Sequence, residues 1–349
     1  MSNKPPKTIL FTFDYELFLG KRSGSVTRCL LEPTEQILTI LGQRKLKGIF
    51  FIDTTYLLRL QDLALQIPAA AEDYKRIRAQ IKQMLQRGHY VFPHLHPHWI
   101  DAIYLPELNQ WDLSNTQHYR FHALSDEWRT SVFTASINLL NEILSLARKP
   151  FQLNGFRAGG WSIQPFSDFK PFFEQHGIQY DFTVMNGWAH FSTAQYFDFR
   201  TEQKLPNIYT FSDDILSPSP GPFTEFGISR LKKPGMLNDL MNRVELKILP
   251  SRIRSSYGDG YSIVAPGIMD EALIHVEDPG AQWEMASLEL LKNHNLKFYI
   301  EYLKTTNYIQ LISHPKMLSP HNIHNAERFM DWAQQHYRIE SDFKKLIPS

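Results

Sequence analysis

The stretch Thr8-Ile9-Leu10-Phe11-Thr12-Phe13-Asp14-Tyr15-Glu16 sets the reading of the whole chain. From Thr8 to Phe13 it is apolar or β-branched throughout, as in a strand covered on both faces, and it then stops at charge. Residues two apart in an extended chain point the same way, so Asp14 and Glu16 share one site. The pattern returns down the chain. Ile49 to Ile52 ends at Asp53, Tyr90 to Phe92 at Pro93-His94, Gly155-Phe156 at Arg157, and Tyr308 to Ile312 at Ser313-His314, while the strand-like run Gln179 to Val184 carries Asp181. Helical spacing fills the intervals over 33–45, 71–87, 132–146 and 168–176, with Gly88 and Gly177 as stops. Alternating strands and helices predict a parallel α/β sheet or barrel, whose sites lie at the carboxyl ends of the strands. Asp14, His94, Arg157 and Asp181 are therefore expected around one mouth.

The rhythm breaks in the 212–283 region, where Pro and Gly are dense, as in Ser217-Pro-Ser-Pro-Gly-Pro222. This reads as a loop-rich insertion over the mouth of a single domain spanning 1–349. Past it, 287–293 reads as a helix leading into Lys297 to Glu301.

Composition narrows the function. Lys plus Arg number 37 against 36 Asp plus Glu, a balance that supplies no bulk attraction to nucleic acid or an anionic membrane. The single cysteine, Cys29, excludes an internal disulfide. No run approaches the ~20 apolar residues of a membrane helix. The first apolar run is too short for a signal sequence, so a cytoplasmic setting is expected. The oligomeric state is open.

Four short stretches carry chemistry. Asp14 and Glu16 end the first strand. Pro93-His94-Leu95-His96-Pro97-His98-Trp99 offers imidazoles to a metal. A turn would pair His94 with His98, whereas an extended segment would put His94, His96 and His98 on one face. Gly155 to Trp161 places Arg157 before two glycines that let backbone approach a ligand. His314, at a strand end, suits acid or base work.

Taken in order, these stretches resemble the polysaccharide deacetylase (NodB-like, carbohydrate esterase 4) family, of which the chain would be a divergent member. Thr12-Phe13-Asp14 resembles the family's Thr-Phe-Asp motif, and Gly48 to Ile52 its Ala-Thr-Phe-Phe strand. Gly88 to His98 is similar to its Gly-His-Glu-Ile-Gly-Ser-His-Thr-x-x-His stretch. Arg157-Ala-Gly-Gly160 echoes Arg-x-Pro, Tyr180-Asp181 a Tyr-Asp element, and Ile312-Ser313-His314 the Leu-x-His motif.

The resemblance implies a distorted (β/α)7–8 barrel that hydrolyses amides with one divalent metal ion, zinc first, with nickel, cobalt, manganese or iron also suited to such donors. Asp14 would be the base, and Glu16, His94 and His98 the metal ligands. Arg157 would hold Asp14 ionised. His314 would be the acid, oriented by Asp181, and backbone near Gly160 would help hold the oxyanion. The family's usual second Asp is Tyr15 here, and Glu16 restores the carboxylate one step on. Trp99, Trp161 and Trp188 are candidate stacking surfaces for sugar rings.

The expected substrate is an N-acetylated sugar or glycan intermediate, cut at a carbon–nitrogen bond that is not a peptide bond. An amidase on a small non-sugar amide would use the same groups. A carbohydrate-binding relative without catalysis would need neither acid nor base. An oxygenase built on two histidines and a carboxylate would have no use for Arg157 and His314.

Overall fold

The structure is a computed structural model and describes residues 4–192, 194–261 and 281–347. A nine-stranded sheet forms its centre. In chain order the strands are β1 (Pro6–Tyr15), β2 (Gly48–Asp53), β3 (Tyr90–Leu95), β4 (Gly155–Ala158), β5 (Tyr180–Asp181), β6 (Ile208–Phe211), β7 (Phe223–Phe226), β8 (Tyr308–Ser313) and β9 (Arg338–Glu340). Their spatial order is β6-β7-β5-β4-β3-β2-β1-β8, with β9 beside the start of β1. Every pairing is parallel except β6 with β7.

The sheet curls into a distorted barrel. Short backbone bonds bridge the remaining gap: Ile228 N donates to Val184 O at 2.8 Å, Ser229 N to Gln310 O at 3.2 Å and Ile312 N to Ala286 O at 2.9 Å.

Side chains alternate as strand geometry requires. Ile9, Phe11 and Phe13 of β1 pack in one large cluster with Ile37, Leu38 and Leu41 of the helix Glu32–Gln43. Leu10, between them, joins a second cluster with Ile49, Phe51, Phe92, Phe182, Phe226 and Phe343. This second cluster fills the barrel. Leu10, Thr12 and Asp14 thus share the inner face, as do Phe51 with Asp53 and Phe92 with His94. Phe343 comes from the turn Phe343–Leu346 and meets Tyr90, Phe92, Tyr180, Phe182 and Phe226 edge-on, with centroids 4.7–5.8 Å away. It plugs the end of the barrel opposite the mouth.

The helices follow their signals. Asp53 caps Thr54–Ala64, its carboxylate accepting from Tyr56 N at 3.1 Å. The helices Pro68–Gln86 and Asp126–Ser145 match the predicted spans but start earlier and end one residue sooner, and Gly177 ends Lys170–His176 with φ +68°.

Two stretches depart from expectation. Within 212–283, Phe223–Phe226 is a strand of the main sheet, Arg230–Pro234 pairs antiparallel with Ala281–Met285, and Gly235–Ile248 is helical. Regular structure is therefore denser there than Pro and Gly content suggests, and 262–280 lie outside the described residues. The helix expected over 287–293 is a set of turns. Ser287 Oγ accepts from Glu289 N and Asn295 Oδ1 from Lys292 N, local bonds that compete with the helical ladder. The helix begins instead at Leu296 and runs to Thr305.

Phe343→Ala should cost about 3–5 kcal/mol, as a large ring lost from a closed core does. Urea unfolding measures it.

Candidate active site

Every parallel strand from β1 to β4 ends at the mouth, and register aligns its last residues: Asp53 pairs with His94, and His94 with Arg157. On the far side of β1, Phe13 pairs with Ser313, one residue before His314.

Arg157 is fully buried and spends its guanidinium on this mouth. Nη1 donates to Asp14 Oδ1 at 2.5 Å, Nη2 to Thr12 Oγ1 at 2.8 Å and Nε to Phe182 O at 2.9 Å. The cation also lies over the Phe51 ring, 4.2 Å from its centroid. Burial pushes the Asp14 carboxyl up. Arg157, then His94 and His314, more than offset that and hold it below the usual range. Its second oxygen faces the site, 3.7 Å from His314 Nε2 and 4.0 Å from His94 Nε2.

Beside Asp14 three donor atoms face one another. Glu16 Oε2 lies 2.7 Å from His96 Nε2 and 3.3 Å from His94 Nε2, and the two nitrogens are 3.0 Å apart. All three side chains are buried. Bonds of about 2.1 Å to a tetrahedral ion would put donors about 3.4 Å from each other, close to this spacing. His94 Nδ1 donates to Arg157 O at 2.8 Å, the tautomer that leaves Nε2 free to bind a metal. Glu16 Oε2 receives no well-aligned hydrogen bond. The trio fits a divalent cation.

The ligand set expected from the sequence comes together only in Glu16 and His94. The segment stays extended through His96, so alternation carries His96 to the inner face with His94. A 3-10 turn, Pro97–Asp101, then swings His98 aside. Its ring stacks on Tyr119 at 4.9 Å, and neither nitrogen finds a partner. Burial, with His96 beside it, holds its pKa well below the usual value.

His314 stands across the mouth. Glu289, which nothing in the sequence marks, accepts from its backbone N–H at 2.5 Å and lies 3.2 Å from its Nδ1. Its Nε2 is 3.7 Å from both Asp14 and Glu16. Burial drives the imidazolium down, but Glu289, then Asp14 and Glu16, overcome it and bring the pKa to about 9.

Asp181, expected behind His314, lies elsewhere. Tyr180 and Phe182 pack toward the barrel interior, so Asp181 between them points to the other face. There it pairs across the sheet with Glu225, which the sequence does not single out. Burial raises both carboxyls, and the Asp181 charge beside it raises that of Glu225 further.

The aromatics divide. Trp99 is fully buried, and its indole N–H donates to Asp53 at 2.5 Å, so it is core and offers no face to a ligand. Trp161 is half-buried and lines the cavity. Trp188 stacks against it at 6.4 Å but does not line the cavity.

The cavity, of about 160 Å³, is walled by Asp14, Glu16, His94, His96, His314 and Gly160, with Tyr119 and Gln195 among the rest. Gly160 has φ +57°, and a β-carbon there would stand 2.6 Å from the Tyr119 ring. Its carbonyl accepts from Gln195 Nε2 at 2.7 Å.

No protein-family model matches the chain, and no curated protein matches it. Solved structures do. One is a Mycobacterium smegmatis protein classed as a polysaccharide deacetylase, with a TM-score of 0.50 and 14% identity over 99% of this chain and 91% of that one. A Pseudomonas aeruginosa PAO1 protein classed likewise has a TM-score of 0.47 and 12% identity over 98% and 93% of the two chains. The PuuE allantoinase has 0.47 and 10% over 97% and 91%. At 14% identity the first likeness is one of fold, and it gives the chain a distorted α/β barrel of the polysaccharide deacetylase type.

Arg157→Met would leave Asp14 buried without its cation and should cost about 3–5 kcal/mol at neutral pH. Because the folded Asp14 pKa lies below the usual 3.8, the pair's contribution is present above that value and is lost as pH falls through the folded pKa. The stability gap between wild type and variant should narrow on acidification, as read by denaturant melts from pH 7 to 3.

Proposed function

We propose that the chain is a metal-dependent hydrolase of the polysaccharide deacetylase type, removing an N-acetyl or related acyl group from a sugar or glycan intermediate. One observation carries the reading: a charged carboxylate, a half-buried histidine acid and a metal-sized trio of donors line one small cavity. The Mycobacterium smegmatis protein of like fold, classed as a polysaccharide deacetylase, supports the same reading.

A divalent ion on Glu16, His94 and His96 would polarise the amide carbonyl and make its bound water more acidic. Asp14, kept ionised by Arg157, takes the proton of the attacking water through the oxygen that Arg157 leaves free. His314, protonated below about pH 9, gives a proton from Nε2 to the departing amine. Glu289 grips Nδ1 and so aims Nε2 at the site. Backbone at Gly160 lies at the cavity wall, where a donor to the oxyanion belongs. The cavity is smaller than the ~300 Å³ of common ligand pockets, so it admits an acyl-amide head while the remainder of the substrate stays outside, against Trp161.

Metal analysis after zinc loading tests the site. About one equivalent is expected in wild type and in His98→Ala, with loss in His94→Ala, His96→Ala and Glu16→Ala. Retention in His96→Ala with loss in His98→Ala would restore the ligand pair expected from the sequence. A screen of N-acetylated sugars beside small non-sugar amides then tests the reaction. Turnover of non-sugar amides alone would replace the deacetylase reading with an amidase.

On a confirmed substrate, Asp14→Asn should lower kcat by about 10²–10⁴ while keeping the metal. Glu289 raises the His314 pKa, so Glu289→Gln should move the alkaline limb of the pH–rate profile downward from about 9. An unmoved limb would remove Glu289 from the mechanism.

A further inference from the structure

His314-Pro315-Lys316 sends a second cation to the mouth. Lys316 is 4% exposed, and its ammonium donates to Glu16 Oε1 at 2.8 Å and to Leu17 O at 2.6 Å. The Phe18 ring lies beside it, 5.3 Å to the centroid. Its backbone is also pinned, since Gly258 N donates to Lys316 O at 3.0 Å. This lysine is built in, unlike a surface residue that happens to reach a carboxylate.

Its position has two effects on Glu16. It occupies Oε1 and so leaves only Oε2 toward the imidazoles. It also gives Glu16 a cation of its own without any metal. Asp14 has Arg157, Glu16 has Lys316 and Glu289 has His314, so these three carboxylates are each paired within the chain. A buried carboxylate lacking such a partner would be a strong reason for the site to hold an ion tightly. An ammonium fixed on the same carboxylate removes that reason and repels the incoming dication.

We propose that Lys316 is a positioning residue that holds Glu16 in place for the metal and at the same time weakens the site's grip on it, so that the protein folds metal-free. The proposal rests on the reading of Glu16, His94 and His96 as metal ligands. Its sign separates it from a purely structural role. Loss of an ordinary outer partner of a ligand weakens metal binding by about 10–100-fold. Loss of Lys316 should strengthen it.

The experiment measures zinc affinity by chelator competition, with thermal melts of zinc-free and zinc-loaded protein. It compares wild type, Lys316→Met, Lys316→Gln and Lys316→Arg. The Met and Gln variants should bind zinc at least about tenfold tighter. Their zinc-free forms should melt below wild type, with zinc restoring the difference, and Lys316→Arg should keep wild-type affinity. Gln keeps a donor for Leu17 O and covers the case in which Met does not fold. Equal or weaker zinc binding in both uncharged variants, with wild type still binding, would overturn the role of Lys316 alone. No zinc uptake by any form would overturn the metal-site reading and this proposal together.

Discussion

A guanidinium sealed inside the barrel organises this protein. Arg157 has no exposed surface, and its donors go to Asp14, Thr12 and the Phe182 carbonyl. It ties β1 to β4 and the chain after β5, although two strands separate β1 from β4 in the sheet. Its own carbonyl receives His94 Nδ1 and so fixes the tautomer of an imidazole that faces Glu16. A charge this deep is tolerated only where every donor finds an oxygen and a ring face covers the cation. Those requirements place the strand ends of the mouth with little freedom, and the side chains there inherit that precision.

The fold was largely legible because its strands announce themselves twice, by apolar composition and by the charge that ends each run. Asp14, His94, Arg157 and His314 do meet at one mouth. What escaped did so for separate physical reasons. Glu289 lies in a turn held by local side-chain bonds, where no periodicity points to a partner. Lys316 follows a proline and reads as an ordinary surface lysine until the fold buries it. Asp181 fails as a partner for His314 through strand alternation, since its neighbours Tyr180 and Phe182 claim the interior. Trp99 fails as a stacking surface because Asp53 and the core hold it.

The histidine stretch shows how finely a site depends on backbone. His94, His96 and His98 are alike in sequence, and each is buried. Two residues of extended chain bring the first pair within 3.0 Å, and one turn removes the third. Prolines on both sides of His96 exclude a regular helix. They do not mark the residue at which extension gives way to the turn, so sequence left both pairings open.

The closure of the barrel has a consequence for assembly. The mouth needs β8 beside β1, and the opposite end needs Phe343, so residues near both ends of the described chain must meet before either face is complete. Asp14 and His314 stand 3.7 Å apart in space with nearly the whole fold between them in sequence. Contacts of such separation form late and slowly. A chain still emerging from the ribosome carries Asp14, His94 and Arg157 before the strand that brings His314, so the constellation exists only once β8 has docked beside β1.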